Sequence, residues 1–232
     1  MNLQQSFYAQ APRHLVAVDC IIFGFEDSRL KLLIMQRMVD PFQGSFSLVG
    51  GFVLESESTA DAATRVLQQV SGLRNIFMDQ LHCYSDVNRD SGSRVISLAY
   101  YALIRVEEHD RKLAIQHGTQ WLALDEIPEL IFDHRKMIED ALFRLRDKAH
   151  FHPIGFELLP EKFTLSQLRS LYEEIYQRVL DKRNFRKKIL AMNILEKLEE
   201  KDKTTSKKGA HLYRFDKQKY EQLAQKGFVF EI

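Results

Sequence analysis

Two cysteines in 232 residues, Cys20 and Cys83, are too few and too far apart for a metal cluster or a disulfide framework. Each lies among apolar or aromatic neighbours, VAVDCIIFGF and QLHCY, so buried, reduced thiols in a cytoplasmic protein are expected. Long apolar runs are missing too: none approaches the roughly 18 residues that span a bilayer, and no membrane partner is expected. The opening MNLQQSFYAQAPRH has neither the basic nor the apolar region of a secretory signal. Internal repeats and low-complexity segments are absent. Net charge is only +1, but it is unevenly spread. From Phe156 onward 17 Lys and Arg face 12 Asp and Glu, whereas the residues before it hold 16 against 20. An acidic first part joined to a basic last part suggests two domains with different partners, the second a nucleic acid.

What is present is enough for a core, since 45% of the chain is hydrophobic. LVAVDCIIFGF reads as a buried strand, and LKLLIMQRM, after the turn EDSR, as its hairpin partner. A helix follows the glycines of SLVGGFV, with Ser58 and Asp61 placed for a capping box and Gly72 placed to end it. MDQLHCYSDV, RVISLAYYALIRV and TQWLALDEIP read as further strands, with Trp121 in the core, and FDHRKMIEDALFRLRDKAHF as an amphipathic helix. Residues 1–150 therefore read as an α+β sandwich, and HPIGFELLPEKF as a connector. In residues 151–232 the apolar period changes. Leu165, Leu168, Leu171, Tyr172 and Ile175 mark one helix, DKRNFRKKIL a second, and two strand-like ends around TTSKKGA a hairpin: a winged helix-turn-helix.

The stretch GFVLESESTADAATRVLQQVSGL has the spacing of the Nudix box, a loop–helix–loop that holds metal for pyrophosphate hydrolysis. Gly51, Glu57, Arg65, Leu67, Gly72 and Leu73 stand at its expected positions. Positions 66, 69 and 70 share a helical face and should carry carboxylates, because a hard divalent cation needs several oxygens there. They are Val66, Gln69 and Val70. Glu57 is then a loop anchor for Arg65. No catalytic residue, no metal ligand and no cofactor are expected.

Resemblance to the Nudix fold places a ligand cleft beside this helix, lined by the first strands and the segment after the box. The candidates are Asp19, Phe46, Tyr84, Asp86, Arg89, Arg94, Tyr101 and His134. Carboxylates and arginines with an aromatic face suit a sugar-bearing ligand. Asp19 stands out, because a carboxylate in an apolar run must be paired, solvated or functional. Tyr100 and Tyr101 alternate across a strand, so at most one faces the cleft.

For DNA, Lys182, Arg183, Asn184, Arg186 and Lys187 surround the apolar anchors Phe185, Ile189 and Leu190 of a short helix. Arg and Asn suit base edges, and lysines suit phosphates. Ser166 and Gln167 begin the preceding helix, and Lys207 and Lys208 stand on the wing.

A degraded Nudix box followed by FTLSQLRSLYEEIY, DKRNFRKKIL and KKGAHLYRF resembles the Nudix-related transcriptional regulators, from about Leu15 to Phe215. DCIIFGF, SLVGGFV, ISLAYYALI and KFTLSQL bring the arabinose-responsive AraR branch nearest; the sister NrtR branch senses ADP-ribose. The resemblance implies a homodimer, an N-terminal Nudix-like α/β/α sandwich and a C-terminal winged helix on a pseudo-palindromic double-stranded operator. Loss of the metal-binding carboxylates points to a repressor released by a metal-free effector, L-arabinose. An ADP-ribose or NAD-metabolite sensor of the same architecture is the alternative, and a metal-dependent hydrolase comes third.

Overall fold

The computed structural model describes residues 10–232 except 39, 41, 73–75, 109–110 and 204–207. In chain order the elements are β1 (Leu15–Glu26), β2 (Arg29–Gln36), β3 (Phe46–Ser47), β4 (Val49–Phe52), α1 (Thr59–Ser71), β5 (Met78–Tyr84) and β6 (Val95–Leu103). They continue with α2 (Arg111–Gln116), β7 (Thr119–Ala123), α3 (His134–Phe151), β8 (Phe163–Thr164), α4 (Leu165–Tyr176) and α5 (Lys182–Ala191). Last come β9 (Leu195–Asp202), β10 (Ala210–Phe215) and α6 (Lys217–Gln225).

Side chains of a strand alternate between faces, and β1 has work for both. Val18, Cys20 and Ile22 join a core under α1, whereas Ile21 and Phe23 join a second core under α3. β1 lies parallel to β6 and antiparallel to β2 and β4, at the centre of a sheet that also holds β3, β5 and β7. Helix α1 covers one face with Ala62, Ala63, Val66, Leu67 and Val70; α3 covers the other with Met137, Ile138, Ala141, Leu145 and Ala149. This is an α/β/α sandwich. The Ser58–Asp61 capping box forms in full, and Gly72 ends α1 in the left-handed conformation, φ 73°.

The second lobe is a winged helix. β8, β10 and β9 form a three-stranded sheet beside α4 and α5. Thr164 and Gln167 make a capping box on α4, and the Asp181 carboxylate accepts the Asn184 N–H at the start of α5 (2.7 Å). The core under α3 runs without interruption through Phe156 and Phe163 into Leu168, Leu171, Tyr172, Phe185 and Phe230. Hydrogen bonds cross the same junction. The Leu30 N–H donates to Glu174 (2.9 Å), Arg105 Nε to the Leu159 carbonyl (2.9 Å), and Arg146 Nε to the Ile175 carbonyl (2.9 Å).

Cys20 is buried as expected, and burial pushes its thiol pKa upward. Cys83 is exposed instead: it stands on β5, the outermost strand, where the register shifts between Gln80 and His82. Helices α2 and α6 go beyond the sequence reading.

Because one core serves both lobes, truncating Leu171 to Ala should cost about 2–5 kcal/mol of stability. Urea unfolding followed separately by far-UV dichroism and Trp121 fluorescence should show one shared transition before and after the substitution. Two separated transitions would show that the lobes unfold independently.

Candidate effector cleft and DNA-binding face

The cleft opens where β1 and β4 meet the start of β6 and the loop entering α3. It is built around Asp19, which lies on the α3 side of β1 and is 7% exposed. Ser97 donates its hydroxyl to Asp19 Oδ2 (2.6 Å), Arg89 Nη2 approaches the same oxygen (3.4 Å), and His134 Nε2 faces Oδ1 (3.4 Å). His134 Nδ1 accepts the Leu48 N–H (3.1 Å), which leaves Nε2 to carry the proton toward Asp19. Burial works against charge on Asp19, but His134, Ser97 and Arg89 outweigh it and hold its pKa below the ordinary 3.8. Gly50 is needed across the strand pair, since a Cβ there would sit 2.5 Å from Asp19 Oδ1.

Arg89 has a stronger partner in Asp133, through Nε to Oδ2 (3.1 Å) and Nη2 to Oδ1 (2.8 Å). Burial opposes its charge, yet Asp133 and Asp19 keep its pKa above the usual value. Phe132, between Ile131 and Asp133, has φ 56°, a left-handed backbone that costs a non-glycine residue about 1–2 kcal/mol. Its ring stands edge-on to both Phe42 (5.4 Å) and His134 (5.5 Å). Arg89 and Phe132 divide the cleft into a chamber of about 320 Å³ beside Asp19, Arg37 and Gly50 and one of about 670 Å³ beside Tyr84 and Asp86.

The structure thus brings Asp19, Arg89 and His134 together and puts Tyr84 and Asp86 in the adjoining chamber. The Tyr84 hydroxyl donates to Asp140 (2.7 Å), and Asp86 accepts the Asn88 N–H (2.8 Å). Three expected cleft residues lie elsewhere. Phe46 packs into the core and gives only its carbonyl to the Ile131 N–H (3.0 Å). Arg94 staples its own loop by donating to the carbonyls of Ser85 and Asp86 (3.0 Å each). Tyr101 is on the same face as Ser97 but four residues further along β6, roughly 13 Å at strand rise; its hydroxyl donates to Asp79 beneath Lys148 (2.9 Å). Tyr100, on the other face, meets the Thr59 hydroxyl.

The residues of α1 do not suit a divalent cation. Val66 and Val70 offer no ligand atom and are buried in the core, whereas Gln69 points to solvent. Glu57 is held by Arg65 Nε (3.0 Å) and by the Leu54 N–H (2.9 Å). Among the described residues no group of three or more His, Cys, Asp and Glu is placed to hold a metal ion.

On the second lobe, Phe185 and Ile189 anchor α5 while Lys182, Arg183, Asn184, Arg186 and Lys187 are exposed. None of these cations is ion-paired among the described residues. Ser166 is exposed too, but Gln167 spends its side-chain carbonyl on the cap, accepting the Thr164 N–H (2.8 Å). Lys208 is exposed, and Lys207 lies outside the described residues.

A Nudix box without its carboxylate ligands, set beside a cleft and joined through one core to a winged helix, defines a DNA-binding regulator with a Nudix-like sensor. Residues 13–141 match the Nudix domain, and residues 155–215 match the NrtR DNA-binding winged helix domain. The chain belongs to the Nudix-related transcriptional regulators of the NrtR type. An "ADPR responsive transcriptional repressor NtrR" of Acinetobacter baylyi is 30% identical over 227 residues, 94% of this chain and 90% of the relative. An "ADP-ribose pyrophosphatase" of Methanocaldococcus jannaschii is 34% identical over 131 residues, 55% of this chain and 72% of that protein. Shewanella oneidensis NrtR, solved with a 27mer DNA, has TM-score 0.76 and 26% identity, covering 93% of this chain and 97% of that one. The Nudix domain of that protein, solved with ADP ribose, has TM-score 0.51 and 26% identity over 62% of this chain and 99% of that one. These relatives point to the NrtR branch rather than the arabinose-responsive one, and the L-arabinose expectation gains no support from them.

Asp19→Asn should destabilise the protein by about 1–3 kcal/mol at pH 7, because an amide cannot satisfy His134, Ser97 and Arg89 together. Folding lowers the Asp19 pKa, so its charge stabilises fully above the ordinary 3.8 and loses that contribution as pH falls through the folded value. Urea titrations between pH 7 and 3 should therefore show the gap to wild type closing below about pH 4. A gap independent of pH would refute the charged network.

Proposed function

We propose that this chain is a repressor whose Nudix-like domain binds ADP-ribose without hydrolysing it and then releases DNA. One contrast carries the reading: α1 buries valines where metal-holding carboxylates would stand, while α5 presents five cations with no carboxylate partner among the described residues. The first removes the electrophile that pyrophosphate hydrolysis needs, and the second is a footprint for phosphates and base edges.

The cleft supports ADP-ribose over a free pentose. Each chamber lies in the range of roughly 300–1,000 Å³ that drug-sized ligands occupy, so a pentose would leave most of the space unfilled. Phe42 and Phe132 offer faces for a base, Asp19 accepts a ribose hydroxyl, and Arg89 supplies positive charge for a diphosphate. Cationic side chains thus stand in for the metal whose absence favours a sugar on sequence grounds alone. We place the protein in the cytoplasm as a homodimer, since two recognition helices on a pseudo-palindrome multiply the specificity of one.

The test is fluorescence anisotropy on a site selected from random duplexes, with EDTA present. ADP-ribose should lower DNA affinity and be recovered intact by chromatography, and L-arabinose should do neither. Arg186→Ala and Lys187→Ala should each reduce the salt slope of log K by about 1 for every phosphate left without its cation. Release by L-arabinose alone, or hydrolysis of ADP-ribose with added Mg²⁺, would replace this reading.

A further inference from the structure

Among the described residues four helices carry a side-chain N-cap: Ser58 on α1, Thr164 on α4, Asp181 on α5 and Asp216 on α6. Helix α3 has an equally suitable residue in position, Asp133, and its carboxylate makes no cap hydrogen bond. Both of its oxygens go to Arg89 instead (2.8 and 3.1 Å). The exception falls at the junction of the two chambers, next to the left-handed Phe132. It also falls on a helix that runs from the cleft to the winged helix. Near its start α3 is held by the Tyr84–Asp140 hydrogen bond (2.7 Å), and near its end Arg146 grips the last turn of α4 through the Ile175 carbonyl (2.9 Å).

We propose that Arg89 is the positioning residue that couples the two lobes: an effector phosphate takes Arg89 from Asp133, and the freed carboxylate caps α3. The inference rests on the cleft receiving a phosphate-bearing effector. A phosphate oxygen competes directly for Arg89, because both are anionic acceptors for the same guanidinium fork. Asp19 tolerates the exchange, since Ser97 and His134 remain with it. Asp133 then satisfies an N–H of the first turn of α3, whose backbone bond from Met137 to the Asp133 carbonyl (3.2 Å) is already made, and the start of the helix tightens. The rest of α3 is packed in the shared core, so a change at its start is carried as a rigid shift to α4. Linkage fixes the sign. If the effector releases DNA, the Arg89–Asp133 arrangement is the one that binds DNA.

Asp133→Asn tests this, because Asn caps helices as well as Asp but holds Arg89 without charge. Without effector, the variant should bind the selected DNA site at least about 5-fold more weakly than wild type. By calorimetry it should bind ADP-ribose at least about 5-fold more tightly, and the further drop in DNA affinity that ADP-ribose causes should shrink accordingly. Unchanged DNA affinity, or weaker ADP-ribose binding, would overturn the exchange; the latter is what a simple ligand contact at Asp133 produces. Asp133→Ser, another capping residue without charge, repeats the measurement if the first variant does not fold. If wild type fails to bind ADP-ribose, the effector assignment falls, and the effector-free DNA affinities still decide the exchange.

Discussion

A carboxylate set into the middle of a sheet covered on both faces is the constraint on which this arrangement hangs. Left unpaired, Asp19 would cost several kcal/mol. Its partners come from Ser97 on β6, His134 at the start of α3 and Arg89 in the loop between β5 and β6. Meeting one local demand therefore fixes the mutual position of the segments that wall the cleft. His134 passes the constraint on by receiving the Leu48 N–H, which orients the approach to β4 and the box. Gly50 is part of the same solution, since any side chain there would displace the carboxylate.

The second organising feature is the unbroken core between sandwich and winged helix. A flexible tether would let a sensor change shape without consequence for its reader. Here Tyr172 of α4 is fully buried and donates its hydroxyl to the Ile154 carbonyl (3.2 Å), and Glu174 receives the Leu30 N–H from β2. Movement on one side must be accommodated on the other, because close-packed interiors transmit strain rather than absorb it.

Much of this was legible in the residues. Ser58 with Asp61, Gly72, Thr164 and Asp181 announce helix ends through chemistry that acts within four residues, and the apolar periods between them are long. Asp19 was legible as an anomaly, a charge in an apolar run. Its partners were legible as types but not as positions: Arg89 and Arg94 look alike in sequence, yet one reaches the cleft and the other staples its loop. Tyr101 and Ser97 share a strand face, and only distance along β6 separates them. Asp133 was hidden beside the more conspicuous His134, although an acid just before a helix is a signal in itself. Cys83 misled because a strand near the sheet edge looks like one at its centre when read alone. The ligand class was not legible for another reason. Loss of carboxylates removes the oxygen ligands of α1, but it says nothing about whether an arginine from a distant loop supplies positive charge.

The burial of Val66 and Val70 bears on what rebuilding the box would cost. Restoring the lost acids one at a time would place a lone charge in a packed core, at a penalty of several kcal/mol and with no metal yet present to compensate it. Each single replacement would give a less stable regulator. Packing against the sheet and holding a divalent cation thus compete for one face of α1, and in this chain packing occupies it.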